Sequence, residues 1–274
     1  MDTAVEATGS AQEVVDRAGA FLASEPVLHN LVRTLLAVRV AHPEPGRYWM
    51  VRDGDDIVGV VFQSPLDFGA TMTPMPSAAA RAAAAAIAAS GVRLPGVHGD
   101  AATAACFAGH WTEHAGVAAV PTAGMRVYEL HRVEAPALDG RLRVATTADR
   151  ALVVEWVRAF QADVGEAPDA DVEAVVDRRT SAGELWLWDL DGPVSMAGVS
   201  PPIDGVVRVA YVYTPPSRRG SGYASACVAA LSARALAQGH RPMLYTDLGN
   251  PVSNSIYRRI GYRAVGECLR YRFD

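Results

Sequence analysis

The chain has no lysine: all 25 of its basic residues are arginine. A phosphate-binding P-loop needs Gly-Lys-Ser/Thr at a helix start, so ATP- and GTP-binding of that kind is excluded. Arginine stands for lysine throughout, which reads as codon bias rather than function. Cysteine is scarce as well. Cys106, Cys227 and Cys268 are odd in number and far apart, which excludes a disulfide framework and a Cys-x-x-Cys metal site and fits a reducing compartment. No apolar run reaches membrane length; the Ala78–Ala89 tract is interrupted by Arg81 and is too short and too weakly apolar to span. Asp2 and Glu6 precede any basic residue, which is not a signal peptide. Together these absences predict a cytoplasmic protein with no membrane partner. The net charge of −5 also argues against nonspecific nucleic-acid binding. With 274 residues, 50% of them hydrophobic, the chain is long enough for two modest domains.

What the chain does have is Arg218-Arg219-Gly220-Ser221-Gly222-Tyr223-Ala224. The β-branched run Val206–Tyr213 before it predicts a strand. The Ala-rich stretch after it predicts a helix over 223–238, stopped by Gly239. A glycine turn that opens a helix presents unpaired backbone N–H groups and the positive end of the helix dipole to an anion. Two arginines add charge that does not titrate. The dinucleotide fingerprint Gly-x-Gly-x-x-Gly fails here, because Gly220 and Gly222 are followed by Ser225.

Downstream, 241–248 predicts a strand, and Asn250-Pro251-Val252-Ser253-Asn254-Ser255-Ile256-Tyr257 opens a short helix. Asn followed by Pro supplies a cap and a preset φ, and Gly261 stops the helix.

The two stretches together resemble the GNAT acyltransferase superfamily. Arg219, Gly222 and Ala224 fill its Arg/Gln-x-x-Gly-x-Gly/Ala acetyl-CoA loop. Asn250, Ser253, Tyr257, Gly261 and Tyr262 fill its second motif, in the branch written Asn-Pro-x-Ser-Asn-x-x-Tyr. The resemblance covers roughly residues 141–274. It implies acetyl-CoA as co-substrate, no metal, and a small-molecule amine as acceptor, in a monomer or homodimer. Residues 218–224 (Arg218, Arg219, Gly220, Ser221, Gly222, Tyr223 and Ala224) would hold the pyrophosphate. The backbone of Val212, Tyr213 and Thr214, at a strand end that splays away, would pair with the pantetheine arm and polarise the thioester oxygen. Asn250 would contact the pantetheine, and Asn254 would bond CoA or cap a turn. Tyr257 would be the general acid: an unperturbed phenol near ~10 is close to balance with an alkyl thiolate.

The general base is not evident. In some relatives a glutamate stands five residues before the motif asparagine; here that position is Tyr245. Others place it on the strand before the loop, and 206–213 carries no carboxylate. Water assisted by Asp247, or by an acid of the 161–171 loop (Asp163, Glu166, Asp169, Asp171), would serve, and an acidic rim there suits a cationic amine.

The first half echoes the second. Trp49 and Gly59 are spaced like Trp188 and Gly198, with Asp53-Gly54 and Asp191-Gly192 as turns between. This predicts hairpins 48–52/57–63 and 185–190/194–199. An Ala-rich helix then follows in each half, over 77–90 and 223–238. The expected architecture is α/β (α+β): two GNAT-like domains, each a mixed, mostly antiparallel sheet flanked by helices, covering 1–138 and 139–274. In the second half 142–145 predicts a first strand, Asp149 the cap of a helix to about 161, and 169–179 a second helix. The chain is expected to finish in two short strands. Where the loop should be, the first half has Thr71-Met72-Thr73-Pro74-Met75-Pro76-Ser77, without glycine or arginine and short of N–H donors at its prolines; it is expected to have lost CoA binding.

One rival pattern is His110-Trp111-Thr112-Glu113-His114, the His-x-x-Glu-His of a zinc peptidase on a helix, although it equally suits an ordinary amphipathic helix and no third ligand is marked. The remaining alternatives are peptide or protein N-acetylation and a non-catalytic acyl-CoA-binding regulator.

Overall fold

The structure is a computed structural model that describes residues 3–165 and 171–274. Its elements run β1 (Thr3–Thr8), α1 (Ala11–Ser24), α2 (Asn30–Ala41), β2 (Arg47–Asp53), β3 (Asp56–Gln63), β4 (Ala70–Met72), α3 (Ser77–Ala89), β5 (Gly96–Asp100), α4 (Ala101–Ala115) and β6 (Ala119–Glu129). The same order then recurs: β7 (Arg141–Val144), α5 (Arg150–Val164), α6 (Val172–Ser181), β8 (Leu185–Asp189), β9 (Pro193–Val199), β10 (Val206–Tyr213), α7 (Tyr223–Ala237), β11 (Arg241–Asp247), α8 (Pro251–Arg259) and β12 (Arg263–Phe273). The repeat seen in two hairpins thus extends to every α-helix and strand. Two short terminal strands were expected; the chain ends instead in the single eleven-residue β12. The helix expected from 169 begins at Val172, where the Asp171 carboxylate accepts from the Ala174 N–H at 2.9 Å.

The chain forms two compact units. One holds residues up to 127 together with 246–250 and 265–274; the other holds 128–245 and 251–264. In the first unit β1, β2, β3 and β4 pair antiparallel, β4 and β5 pair parallel, and β12 joins β5 antiparallel from Cys268↔Asp100 to Arg272↔Gly96. Strand alternation sorts its core. Trp49 and Val51 lie in one cluster with α3 and α4 residues, and Tyr48 and Met50 lie in another with α1 and α2 residues. The last strand closes the first cluster, where Phe273 stacks on Trp111 at 5.5 Å.

The second unit repeats the pattern. β7, β8, β9 and β10 pair antiparallel and β10 runs parallel to β11. Leu185 and Leu187 face α5 and α6, whereas Trp186 and Trp188 pack with residues of α7 and α8. The start of α5 is fixed by Arg143. Its guanidinium donates both ways to Asp149, at 2.8 Å each, and to Asp189 at 2.6 Å. Asp149 stands at the N-cap of α5 as expected, but its carboxylate makes no bond to that helix; it closes the short 3-10 turn before it, accepting from Thr146 N–H and Oγ1.

Candidate functional site

The loop between β10 and α7 owes its shape to two glycines. Gly220 and Gly222 sit at φ of +81° and +83°, a region that costs other residues roughly 1–2 kcal/mol. Gly222 is the N-cap of α7, and no side chain caps that end. The first-turn donors of a fifteen-residue helix therefore open onto an exposed loop, 218–222, with 223–225 half-buried. Arg219 does not simply add charge. Its Nε donates to the Thr214 carbonyl at 3.0 Å, its Nη2 pairs with Asp163 at 2.5 Å, and its guanidinium lies 5.8 Å from the centre of the Tyr213 ring. It pins the loop to the end of β10 and to α5, so that an anion at this loop would be met mainly by backbone N–H groups.

The end of β10 parts from β11. The parallel ladder runs from Val206↔Arg241 to Val209↔Leu244 and stops, although both strands continue. At the same point the pairing with β9 shifts register between Ala210 and Tyr213, and Tyr211 takes a φ of +52°. That bulge re-aims the strand. Ser195 on β9 holds the parted end, donating to the Tyr213 carbonyl at 3.0 Å and lying 2.9 Å from Thr214 Oγ1. The β11-facing edge of Val212 and Tyr213 is left without a strand.

On α8, Asn254 and Tyr257 are both buried. The Asn254 carbonyl oxygen accepts from the Tyr128 hydroxyl at 3.0 Å, which ties α8 to the 128–130 segment. Tyr257 lies between Tyr128 and Tyr262, with ring centres 6.4 and 6.0 Å away. Burial pushes its hydroxyl up to about 12. The near balance with a thiolate expected from an unperturbed phenol is therefore lost: this phenol is a weaker acid, and it stays protonated through the whole neutral range. Asn250 closes the 246–250 segment that groups with the first unit; its N–H donates to the Asp247 carbonyl at 3.1 Å.

The acid-lined rim is altered by the structure. Asp163 is engaged by Arg219 and Asp171 caps α6; Glu166 and Asp169 lie outside the described residues. The Asp247 carboxylate accepts from the Gly249 N–H at 2.7 Å within its own turn. Sequence reasoning missed a different group on the strand leading into the loop. Arg208 is half-buried there, and the groups acting on its charge are Tyr245, Arg179 and Tyr211. The only signal was an arginine inside an otherwise β-branched and aromatic strand.

The equivalent place in the first unit is closely packed. A Cβ on Gly99 would lie 3.0 Å from the Met72 carbonyl oxygen, and one on Gly59 would lie 2.7 Å from Met75 Cε. Thr103 Oγ1, at the start of α4, accepts from the Met75 N–H at 3.1 Å and donates back to its carbonyl at 3.3 Å. The α3 N-cap is Pro76. His110 and His114 stand on α4 with rings 5.9 Å apart, and His110 is 3.6 Å from Glu113. Among the described residues no group of three metal-ligating side chains occurs, and no helix is long and apolar enough to cross a membrane.

Residues 204–271, which carry β10, α7, β11, α8 and most of β12, match the family described as FR47-like protein. No curated protein sequence matches the chain. Among solved structures, the chain is similar to an acetyltransferase from the GNAT family of Colwellia psychrerythraea, with 12% identity, a TM-score of 0.66, and 99% of this chain and 100% of that one covered. It is similar to a GCN5-related N-acetyltransferase from Sphaerobacter thermophilus, with 14% identity, a TM-score of 0.65, and 98% and 95% covered. It is also similar to a tandem GNAT protein from the clavulanic acid biosynthesis pathway, with 11% identity, a TM-score of 0.56, and 98% of both chains covered.

Proposed function

We propose that this chain, which has the GNAT fold, is an acetyl-CoA-dependent N-acetyltransferase that acts on the primary amine of a small molecule, with its chemistry confined to the second unit. The observation that carries the reading is the parting of β10 from β11 after Val209, directly before a doubly positive-φ glycine loop and an uncapped helix start. The residues fit the co-substrate. Residues 220–224 present donors for a pyrophosphate, and the open edge of Val212 and Tyr213 presents a backbone for an amide-containing arm. Acetyl-CoA would supply the thioester carbonyl that is attacked.

In the transfer, the neutral amine forms a bond from its nitrogen to the carbonyl carbon. The carbon–sulfur bond breaks, the thiolate leaves with the electron pair, and the amine nitrogen gives up a proton. A backbone N–H near Val212 would hydrogen-bond the developing oxyanion, a contribution on the order of 10²–10³ in rate elsewhere. Tyr257 would give its proton to the leaving sulfur and take one back from the water that receives the amine proton. With its hydroxyl at about 12, it acts as a donor fully loaded at working pH, not as a titrating group. Neither β10 nor Tyr245 offers a carboxylate to remove the amine proton, so the reading gives that proton to water. The closely packed counterpart in the first unit, where Pro76 caps α3 and glycine and arginine are missing from 71–77, supports a first half that has lost acetyl-CoA binding. Free-thiol release from acetyl-CoA across an amine panel tests the proposal: acceptor-dependent release supports it. Binding of CoA without turnover on any acceptor favours the regulator.

A further inference from the structure

The mechanism leaves Arg208 unused, and it is an expensive residue to leave idle. It lies on β10 three residues before the Tyr211 bulge, on a strand with Val206, Val207 and Val209 buried around it. Burial lowers its tendency to hold a proton, and the groups acting on its charge are Tyr245, Arg179 and Tyr211. One of these is a second cation and the other two are phenols. Among the described residues no carboxylate pairs with Arg208.

Arg179, on α6, is itself half satisfied. Its Nη1 pairs with Glu184 at 2.8 Å and its guanidinium lies 4.7 Å over the Tyr211 ring, but its Nε is buried without a hydrogen-bond partner. Two half-buried cations side by side, one with a buried donor left over, repel each other and leave room for an anion between them. The Tyr211 ring, held by Arg179 and tilted against Phe160 at 5.5 Å, belongs to the same bulge that opens the strand. The cationic group and the parted strand end are therefore a few residues apart on one element.

We propose that Arg208, with Arg179 beside it, is the specificity site for a carboxylate on the acceptor, so that the preferred substrate is an amino acid or another amine carrying a carboxylate. This rests on the N-acetyltransferase reading of the same unit. A guanidinium presents a planar fork that matches a carboxylate, and the incoming anion supplies the charge that the folded chain withholds. The amine end then projects along β10 toward the bulge. The two nearby cations also disfavour the ammonium form of that amine, which assists its deprotonation where no carboxylate base stands.

The test compares matched acceptors: phenylalanine, its carboxamide and phenethylamine, with phosphoethanolamine as a phosphate-bearing arm. The site predicts kcat/KM for the carboxylate acceptor roughly 10- to 100-fold above its neutral partners, the value of hydrogen bonds to charged groups. In Arg208→Met the preference collapses through KM, and Arg208→Lys restores it in part. Arg208→Met should also melt at the same or a higher temperature, because it removes a cation that faces a second cation; loss of a purely structural arginine would lower the melting temperature. Equal turnover of charged and neutral acceptors, a preference for the phosphate arm, or a preference that survives Arg208→Met would overturn the proposal. Calorimetric binding of N-acetylphenylalanine against N-acetylphenethylamine needs no turnover. A discriminating but inactive protein would sink the enzyme reading alone, and an active but indifferent one would sink this inference alone.

Discussion

At the scale of single residues the account depends on Tyr257 and the two loop glycines. Tyr257→Phe keeps the buried ring and removes the proton. Thiol release should fall on the order of 10²-fold or more while CoA affinity holds; unchanged turnover would remove the tyrosine from the chemistry. Because the hydroxyl is pushed up to about 12 by burial, it remains protonated up to that value, so kcat should show no alkaline fall assignable to it below about pH 11. A fall near the ordinary tyrosine value would show that burial is relieved when the site is filled. Gly222 invites a paired comparison with Gly239, since both hold positive φ, +83° and +78°. Alanine at either should cost stability of about 1 kcal/mol. Only Gly222→Ala should also weaken CoA binding, measured by calorimetry, because it alone sits at the N-terminus of α7.

At the scale of elements, the Arg143 clamp joins β7, the α5 entry and the end of β8. The guanidinium is the leading cause that holds both Asp149 and Asp189 below the usual carboxylate range. Carboxylates lowered in the folded state stabilise it above their unfolded value near ~4, and that contribution is lost as pH falls below it. Arg143→Met should therefore lower the melting temperature at pH 7, and the gap to the unmutated protein should narrow as the pH approaches 3. A gap that stays constant with pH would mean the arginine acts by packing alone.

Legibility followed the same physics. Elements with strong local signals were readable: β10 and the start of α7 from a β-branched run meeting a glycine pair, and the hairpins from Asp-Gly turns. For β12 the sequence suggests two strands, because its residues alternate weakly and it carries Gly266 and charged side chains; its last part, Cys268–Arg272, is held by pairing with β5, about 170 residues away in sequence. Arg208 was invisible for a related reason. Nothing local distinguishes a solvated strand arginine from a half-buried one set beside a second cation.

At the scale of the whole molecule, the compact units do not follow chain order. Tyr128 and Leu130 are fully buried in the core of the second unit, while Leu269, Tyr271 and Phe273 pack against that of the first. A fragment of 139–274 would leave the α8 face without Tyr128, the partner of Asn254, and β12 without β5. We expect it not to give a cooperative melt, whereas a fragment that melts like the intact chain would contradict the exchange of segments. Loss of the last ten residues should likewise expose the Trp111 cluster and lower solubility.

The measurement that bears most directly on the central claim is thiol release from acetyl-CoA by the intact chain over an amine panel, beside calorimetric CoA binding to the same preparation. The account predicts that CoA binds, that binding is lost or sharply weakened in Gly222→Ala, and that thiol release depends on the acceptor. Absence of CoA binding, or binding that ignores Gly222, would contradict it.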